Sequence, residues 1–302
     1  MKLERFQDLY LSHLRARGSA ESTLKGKGLA LFRFFAHLQE GGIRDARKIT
    51  EADVVAFVRA LAEERSPRTR RLLAPNTRSH YVSVVRCFLA FLVRRGLLLY
   101  SPAAAVPLPE RRRLPRALGQ ADVRRVLEAP LSSTAVGRRD RAVLELLYGT
   151  GLRLMECVRL DLMDVDLVQH LLLVRTGKGK KDRYVPLTGR AREAVLAYLR
   201  ESRPLLTERW DDGALFVSRF GRRLGAMSVR VLVRKHGAKA GVKLTTHLLR
   251  HSCATHLLAG GADVRHVQKL LGHKDVTTTA LYTKVDTASL DRMVRRCHPR
   301  ER

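Results

Sequence analysis

Apolar residues recur every three or four positions through most of the first hundred residues. That period marks helices with one face turned to a core. It predicts four of them: FQDLYLSHLRARG (6–18), STLKGKGLALFRFFAHLQ (22–39), EADVVAFVRALAEE (51–64) and TRSHYVSVVRCFLAFLVRRG (77–96). Thr50 and Asp53 have the spacing of a capping box ahead of the third helix, and Gly96 supplies a stop for the fourth.

The pattern then breaks. SPAAAVPLPERRRLPRALG (101–119) carries Pro102, Pro107, Pro109 and Pro115 with four arginines. Proline holds the chain extended and blocks helix. Residues 101–116 therefore read as a basic linker between a helical domain, 1–100, and a second domain, 117–302. The second domain is mixed. QADVRRVLEAP (120–130) and RRDRAVLELLYGTG (138–151) have helical periods, and HLLLVRTGKGKKDRYVPL (170–187) reads as two short strands joined by a Gly- and Lys-rich turn. ALFVSRFG (214–221) is a further candidate strand. From Thr245 the chain returns to helix: TTHLLRHSCATHLLAGG (245–261), ADVRHVQKLLGH (262–273), then a helix carrying Tyr282. The fold class expected is mainly α with a small β-sheet.

Length and composition fit this division. A chain of 302 residues suggests two domains, and 45% hydrophobic residues suffice for ordinary cores. Aromatics are only 6%, which predicts cores of Leu, Val and Ala. Cys87, Cys157, Cys253 and Cys297 are scattered without a CxxC pair, so neither a disulfide framework nor a cysteine zinc site is indicated. MKLERFQDLY lacks the apolar stretch of a signal peptide, and no apolar run reaches membrane-spanning length. A soluble cytoplasmic protein is expected.

Charge changes the picture most. The chain holds 58 Lys+Arg against 29 Asp+Glu, a formal net charge of +29. Residues 1–110 contribute 19 basic and 10 acidic side chains, and the remaining 192 contribute 39 and 19. An excess spread over both folded halves suits a polyanion gripped from several sides, and double-stranded DNA is such a partner. A GC-rich coding sequence is a blander source of arginine. A membrane-surface protein is disfavoured, because no isolated basic amphipathic helix or lipidation signal is present.

Four segments hold candidate chemistry. In GTGLRLMECVRL (149–160), Arg153 follows a Gly-Thr-Gly break with Glu156 three residues on; alone, such a pair is ordinarily a surface ion pair. In TGKGKKDRYVPL (176–187), Lys178 stands between two glycines where a phosphate could approach, with Lys180 and Lys181 as rivals on the same turn. It is not a P-loop. In HLLRHSCATHLL (247–258), His247, Arg250 and His251 fall at i, i+3 and i+4 on one helix face, a setting for an anion held by the arginine fork. Zinc is the rival there, but the HExxH pattern needs Glu where Leu248 stands. In LLGHKDVTTTALYTKV (270–285), His273 follows Gly272 and Tyr282 lies beyond it; a lone helical Tyr is ordinarily core packing.

In this order, TGLRLMEC, GKGKKDRYVPL, HLLRHSCATHLLAGGADVRHVQKLLGH and TTTALYTKV resemble the tyrosine recombinase, or phage integrase, family, particularly its Xer-type members, over residues 115–295. The resemblance implies an N-terminal helical, SAM-like core-binding domain that clamps DNA, and a C-terminal mixed α/β catalytic domain. It places the active site on Arg153, Lys178, His247, Arg250, His273 and Tyr282, with Glu156 in support; only the GKG match selects Lys178 over its rivals. It implies site-specific recombination by transesterification through a 3′-phosphotyrosyl link, without metal, ATP or other cofactor. Lys180, Lys181, Arg111, Arg112 and Arg113 are candidate DNA contacts. His251 is expected to support the site or pack behind it. The partners implied are double-stranded DNA and further copies of the chain, four on two DNA sites; a second recombinase is left open.

The tail DTASLDRMVRRCHPRER (286–302) has Leu290, Met293 and Val294 at helical spacing, and in this family such a segment often docks on a neighbour; packing on its own domain is the other reading. SPRTRRLLAPNTRSHY (66–81) is longer than the usual connection, Cys253 stands where an aromatic is common, and Lys284 where histidine is common. These departures leave the chemistry intact and bear on the target sequence. A type IB-like topoisomerase and a non-catalytic DNA-binding regulator on the same scaffold are the alternatives. HLLRH with LGH favours recombinase over the first, and six intact positions argue against the second. A metal-dependent nuclease would be stopped by EDTA, to which a recombinase should be indifferent.

Overall fold

The computed structural model describes residues 3–67, 69–107, 109, 117–175, 182–207, 211–272 and 284–301. The chain divides into two compact units, Met1–Leu114 and Pro115–Arg302.

The first unit is helical: α1 (Leu3–Ala16), α2 (Glu21–Glu40), α3 (Glu51–Glu63) and α4 (Pro75–Arg94). The four periodic segments supply them. At the start of α3, the Asp53 carboxylate accepts the Thr50 N–H at 2.8 Å and the Thr50 hydroxyl accepts the Asp53 N–H at 3.4 Å, so the capping box forms. Gly96 takes a left-handed φ of 68° just past α4.

One expectation is incomplete here and another needs correction. Leu, Val and Ala make up most of this unit's core, as expected, but seven aromatic residues, Phe6, Tyr10, Phe34, Phe35, Phe57, Phe88 and Phe91, are in it as well. Their rings pack edge-on or tilted, Phe34 on Phe57 at 5.0 Å and Tyr10 on Phe88 at 5.7 Å between centroids. The low overall percentage hid their concentration in these helices. The proline-rich stretch, in turn, is not linker from its first residue. Ala103 and Val106 are buried in the same core, and Arg86 Nη1 donates to the Val106 carbonyl at 3.2 Å. The chain turns here, with the Ala104 N–H donating to the Ser101 carbonyl at 3.0 Å, and its small apolar side chains lie on the helices.

The second unit opens with α5 (Gln120–Glu128), α6 (Ala135–Thr150) and α7 (Leu154–Val158). A three-stranded antiparallel sheet follows in the order β1 (Val165–Asp166), β2 (Leu171–Val174), β3 (Arg183–Pro186), with Val174 opposite Arg183. Then come α8 (Gly189–Ala197), a wider helical turn over Tyr198–Ser202, α9 (Arg203–Thr207), α10 (Ala226–Lys239), α11 (Thr246–Ala259), α12 (Val264–Leu271) and α13 (Lys284–Cys297). The second half of α6 is mostly apolar, and from Ala142 to Thr150 every residue is buried, so this part of the helix runs through the core. The expected strand at 214–221 does not form; Ala214–Val217 are all buried, but the stretch makes only the isolated bridges Ala214 to Asp161 and Val217 to Arg223. β1 was not legible, being two residues long. Among the described residues, no helix is long and apolar enough to cross a membrane.

The tail packs on its own unit. Leu290, Met293, Val294 and Cys297 of α13 are buried in the core of that unit. Beyond them, His298 is fully buried with its ring 5.0 Å from Tyr148, whose hydroxyl shares a 2.7 Å hydrogen bond with His256 Nδ1. The Arg300 guanidinium pairs with the buried Glu145 carboxylate, and Glu301 accepts the Gly189 N–H at 3.0 Å. The expected helix at Tyr282 lies outside the described residues.

Candidate active site

Three helix ends build the site. Helix α6 stops because Gly151 adopts a left-handed φ of 62°, and a Cβ there would lie 2.6 Å from Leu271 Cδ2. The left-handed φ is what calls for glycine here, and its lack of a side chain leaves room for the Leu271 methyl. Helix α12 stops at Gly272, also left-handed, with a φ of 65°.

Arg153 then opens α7. The Glu156 carboxylate, in the first turn, accepts the Arg153 N–H at 2.9 Å and its Nη1 at 3.0 Å. Arg153 Nη2 donates to the Gly272 carbonyl at 2.9 Å. Arg250 comes from α11, whose start is capped by the Thr245 hydroxyl accepting the Leu248 N–H at 3.1 Å. Its Nη1 donates to the Gly151 carbonyl at 2.6 Å and its Nη2 to the Leu271 carbonyl at 2.7 Å. Two arginines distant in sequence thus bond to consecutive carbonyls, Leu271 and Gly272, at the negative end of α12.

A third guanidinium completes the cluster. Arg183 on β3 grips Glu156 with both arms, Nη1 to Oε1 at 3.1 Å and Nη2 to Oε2 at 2.9 Å. Two guanidiniums therefore share one carboxylate, while that of Arg250 is bonded only to carbonyls. Burial pushes the Glu156 carboxyl up, but Arg183 first and then Arg153 outweigh that and hold it below its ordinary value. Arg250 is brought down to about 10, by burial and then by the like charge of Arg153 and Arg183. A cation cluster short of counter-charge is built to receive an anion, and arginine forks suit phosphate oxygens.

Of the residues expected at the site, Arg153, Glu156 and Arg250 come together. His247 is exposed on the first turn of α11. His251, one turn on and on the same helix face as His247, is also exposed, so it does not pack into the core. Lys178, Lys180, Lys181, His273 and Tyr282, with Arg111, Arg112 and Arg113, lie outside the described residues. Among the described residues, no group of three or more His, Cys, Asp or Glu could hold a metal ion.

Comparison with known proteins follows the same lines. The phage integrase family model matches residues 116–289, and the SAM-like N-terminal domain of phage integrases matches residues 8–96. The chain belongs to the phage integrase family. Tyrosine recombinase XerC of Azotobacter vinelandii is 38% identical over 98% of this chain and 96% of its own length. Tyrosine recombinase XerD of Mycobacterium tuberculosis is 41% identical over 97% of each. The chain is accordingly an enzyme of the tyrosine recombinase class. The fold is shared with a lambda integrase tetramer solved on a Holliday junction, at a TM-score of 0.66 and 18% identity, over 93% of this chain and 80% of that one.

Sequence reasoning passed over Arg183. One signal for it was present: on β3, Arg183 and Val185 are buried while Tyr184 is exposed, so the period-2 pattern puts an arginine on the core side. A cation there needs a buried partner, and Glu156 is that partner.

Proposed function

We propose that this tyrosine recombinase performs site-specific recombination of double-stranded DNA through a covalent bond between Tyr282 and a backbone phosphate. The observation that supports it is the convergence of Arg153 and Arg250 on neighbouring carbonyls around a shared, under-compensated site. Their remaining donors would hold the non-bridging oxygens and stabilise the charge of the pentavalent transition state. The Tyr282 hydroxyl gives up its proton, its oxygen bonds to phosphorus, and the bond to the 5′-oxygen breaks. Lys178 protonates that leaving oxygen, help worth roughly 10²–10⁴-fold. His247 shuttles the tyrosine proton and His273 hydrogen-bonds the phosphate. A 5′-hydroxyl from the other duplex then reverses the step. The phosphotyrosine conserves the bond energy, so no ATP is consumed.

Exchange between two duplexes needs four copies of the chain, the assembly in which lambda integrase was solved on a Holliday junction. The first unit, residues 1–100 with the packed stretch after it, would clamp the duplex as a core-binding domain. Lys180, Lys181, Arg111, Arg112 and Arg113 would contact phosphates. Action on DNA puts the protein in the cytoplasm with the nucleoid.

The test is trapping on a library of nicked duplexes, in which the cut fragment diffuses away. Wild-type protein should yield a covalent adduct on a denaturing gel, and Tyr282→Phe none. Adducts persisting in the variant remove Tyr282 from its role. Relaxation of a plasmid with no exchange between recovered sites would favour a topoisomerase.

A further inference from the structure

We propose that Arg183 is a positioning residue for recombination: it takes up the charge of Glu156 so that the Arg153 guanidinium stays available to the scissile phosphate. This rests on the recombinase reading above.

The geometry carries it. Glu156 accepts four hydrogen bonds, two from the Arg183 guanidinium, one from the Arg153 guanidinium and one from the Arg153 amide. Arg183 therefore binds the carboxylate through both oxygens, while Arg153 spends a single arm on it. The two arginines are also unlike in exposure: the Arg183 side chain is 4% exposed and that of Arg153 is 44% exposed. Arg183 cannot be a contact for DNA; Arg153 can. Arg183 also lies against Gly272, where a Cβ would meet its Cζ at 3.0 Å. Gly272 presents its carbonyl to Arg153 and leads into His273. One buried guanidinium thus supports both the acid that aims Arg153 and the backbone turn before His273.

Charge gives the same answer. Arg153, Arg183 and Arg250 against Glu156 leave two net positive charges at the site. Removing Arg183 leaves one, with Glu156 compensated by Arg153 alone. Removing Arg183 and neutralising Glu156 together returns two. A role through Glu156 therefore predicts that the second substitution repairs the first, which simple loss of packing does not.

The experiment uses the full chain and suicide duplexes carrying the sequence recovered in the trapping assay. Arg183→Gln should slow adduct formation by about 10- to 100-fold, the range typical of partners that orient a site from behind, with DNA affinity unchanged. Glu156→Gln added to it should restore most of the rate, and Arg183→Lys should lose less than Arg183→Gln. On a duplex with a neutral methylphosphonate at the scissile position, the loss should shrink, because the charge that Arg153 answers is gone. A wild-type rate in folded Arg183→Gln, a double variant no faster than the single, or equal losses on both duplexes overturns the proposal. If Arg183→Gln melts below the assay temperature, Arg183→Lys decides. Its point charge cannot grip both carboxylate oxygens, so it must slow the adduct while binding DNA normally, and an unslowed rate overturns the proposal. A wild-type chain that forms no adduct removes the recombinase reading instead, and this proposal with it.

Discussion

The clusters around Glu156 and Glu145 each set a carboxylate against arginine inside the catalytic unit, yet burial wins at one and loses at the other. Glu145 is 1% exposed and has one guanidinium, that of Arg300; burial outweighs this partner and raises its carboxyl. Its other neighbours, Tyr148, His256, Cys253 and His298, are held neutral by burial: the thiol of Cys253 is pushed up to about 12 and the imidazole of His298 down to about 3. At Glu156, Arg183 and Arg153 outweigh burial, and Arg250 stands by without a carboxylate of its own. The first cluster is closed, its polar atoms spent on each other. The second is open, with cations left over. A polar cluster with surplus charge is waiting for a ligand; one without it is part of the fold.

The largest expected effect breaks the closed cluster. Arg300→Ala leaves Glu145 buried without its cation, and removal of one member of a buried pair costs about 3–5 kcal/mol. Thermal or denaturant unfolding of the catalytic unit should show it, while protein that remains folded still forms the covalent adduct. An unchanged melting temperature would mean that the tail does not close this cluster.

The next effect is the mirror image. Arg250→Ala should leave melting nearly unchanged, because two bonds to carbonyls are lost but repulsion from Arg153 and Arg183 is relieved. Adduct formation should fall by about 10²–10³-fold, the cost of losing one donor to transition-state charge, while DNA is still bound. A large stability loss with normal chemistry in the folded fraction would make Arg250 structural and erase the contrast.

The sequence made these two clusters unequally visible. Arg153, Glu156 and Arg250 stand in short motifs with recognisable spacing, and the helices that carry them are periodic, so that half of the site could be read directly. The closed cluster could not. Tyr148 and His256 look like ordinary members of apolar helices, and His298 and Arg300 fall in a tail where only Leu290, Met293 and Val294 carry a period. Partners such as Glu145 and Arg300 are joined by tertiary packing alone. The same limit hid the cluster of aromatic rings within the first unit's core and Arg183, whose meaning depends on a carboxylate from another element. The strand expected at 214–221 failed for a related reason: an apolar run fits a core as strand or as irregular chain, and its neighbours decide.

Acid should separate the two clusters by a smaller margin, and the sign follows from the shifts. The folded His298 imidazole sits near 3, below the ordinary 6.5, so between those values the unfolded chain binds a proton that the folded unit refuses. Stability then declines as the pH falls through that window, by about 1.4 kcal/mol per pH unit for one such group. His256, also lowered by burial, adds to the decline, whereas Glu145, raised, opposes it; Tyr148 and Cys253, both raised by burial, stay neutral there. Glu156 behaves otherwise. Its carboxyl is depressed, so its contribution persists down to the ordinary carboxylate value and fades only as the pH falls through its folded one. Mild acid should therefore loosen the tail before it touches the arginine cradle. Unfolding followed between about pH 4 and 7 should show a steeper acid loss for wild type than for His298→Gln. Equal slopes would mean that His298 is free to take its proton in the folded unit, and the cluster around Glu145 would then be as open to solvent as the one around Glu156.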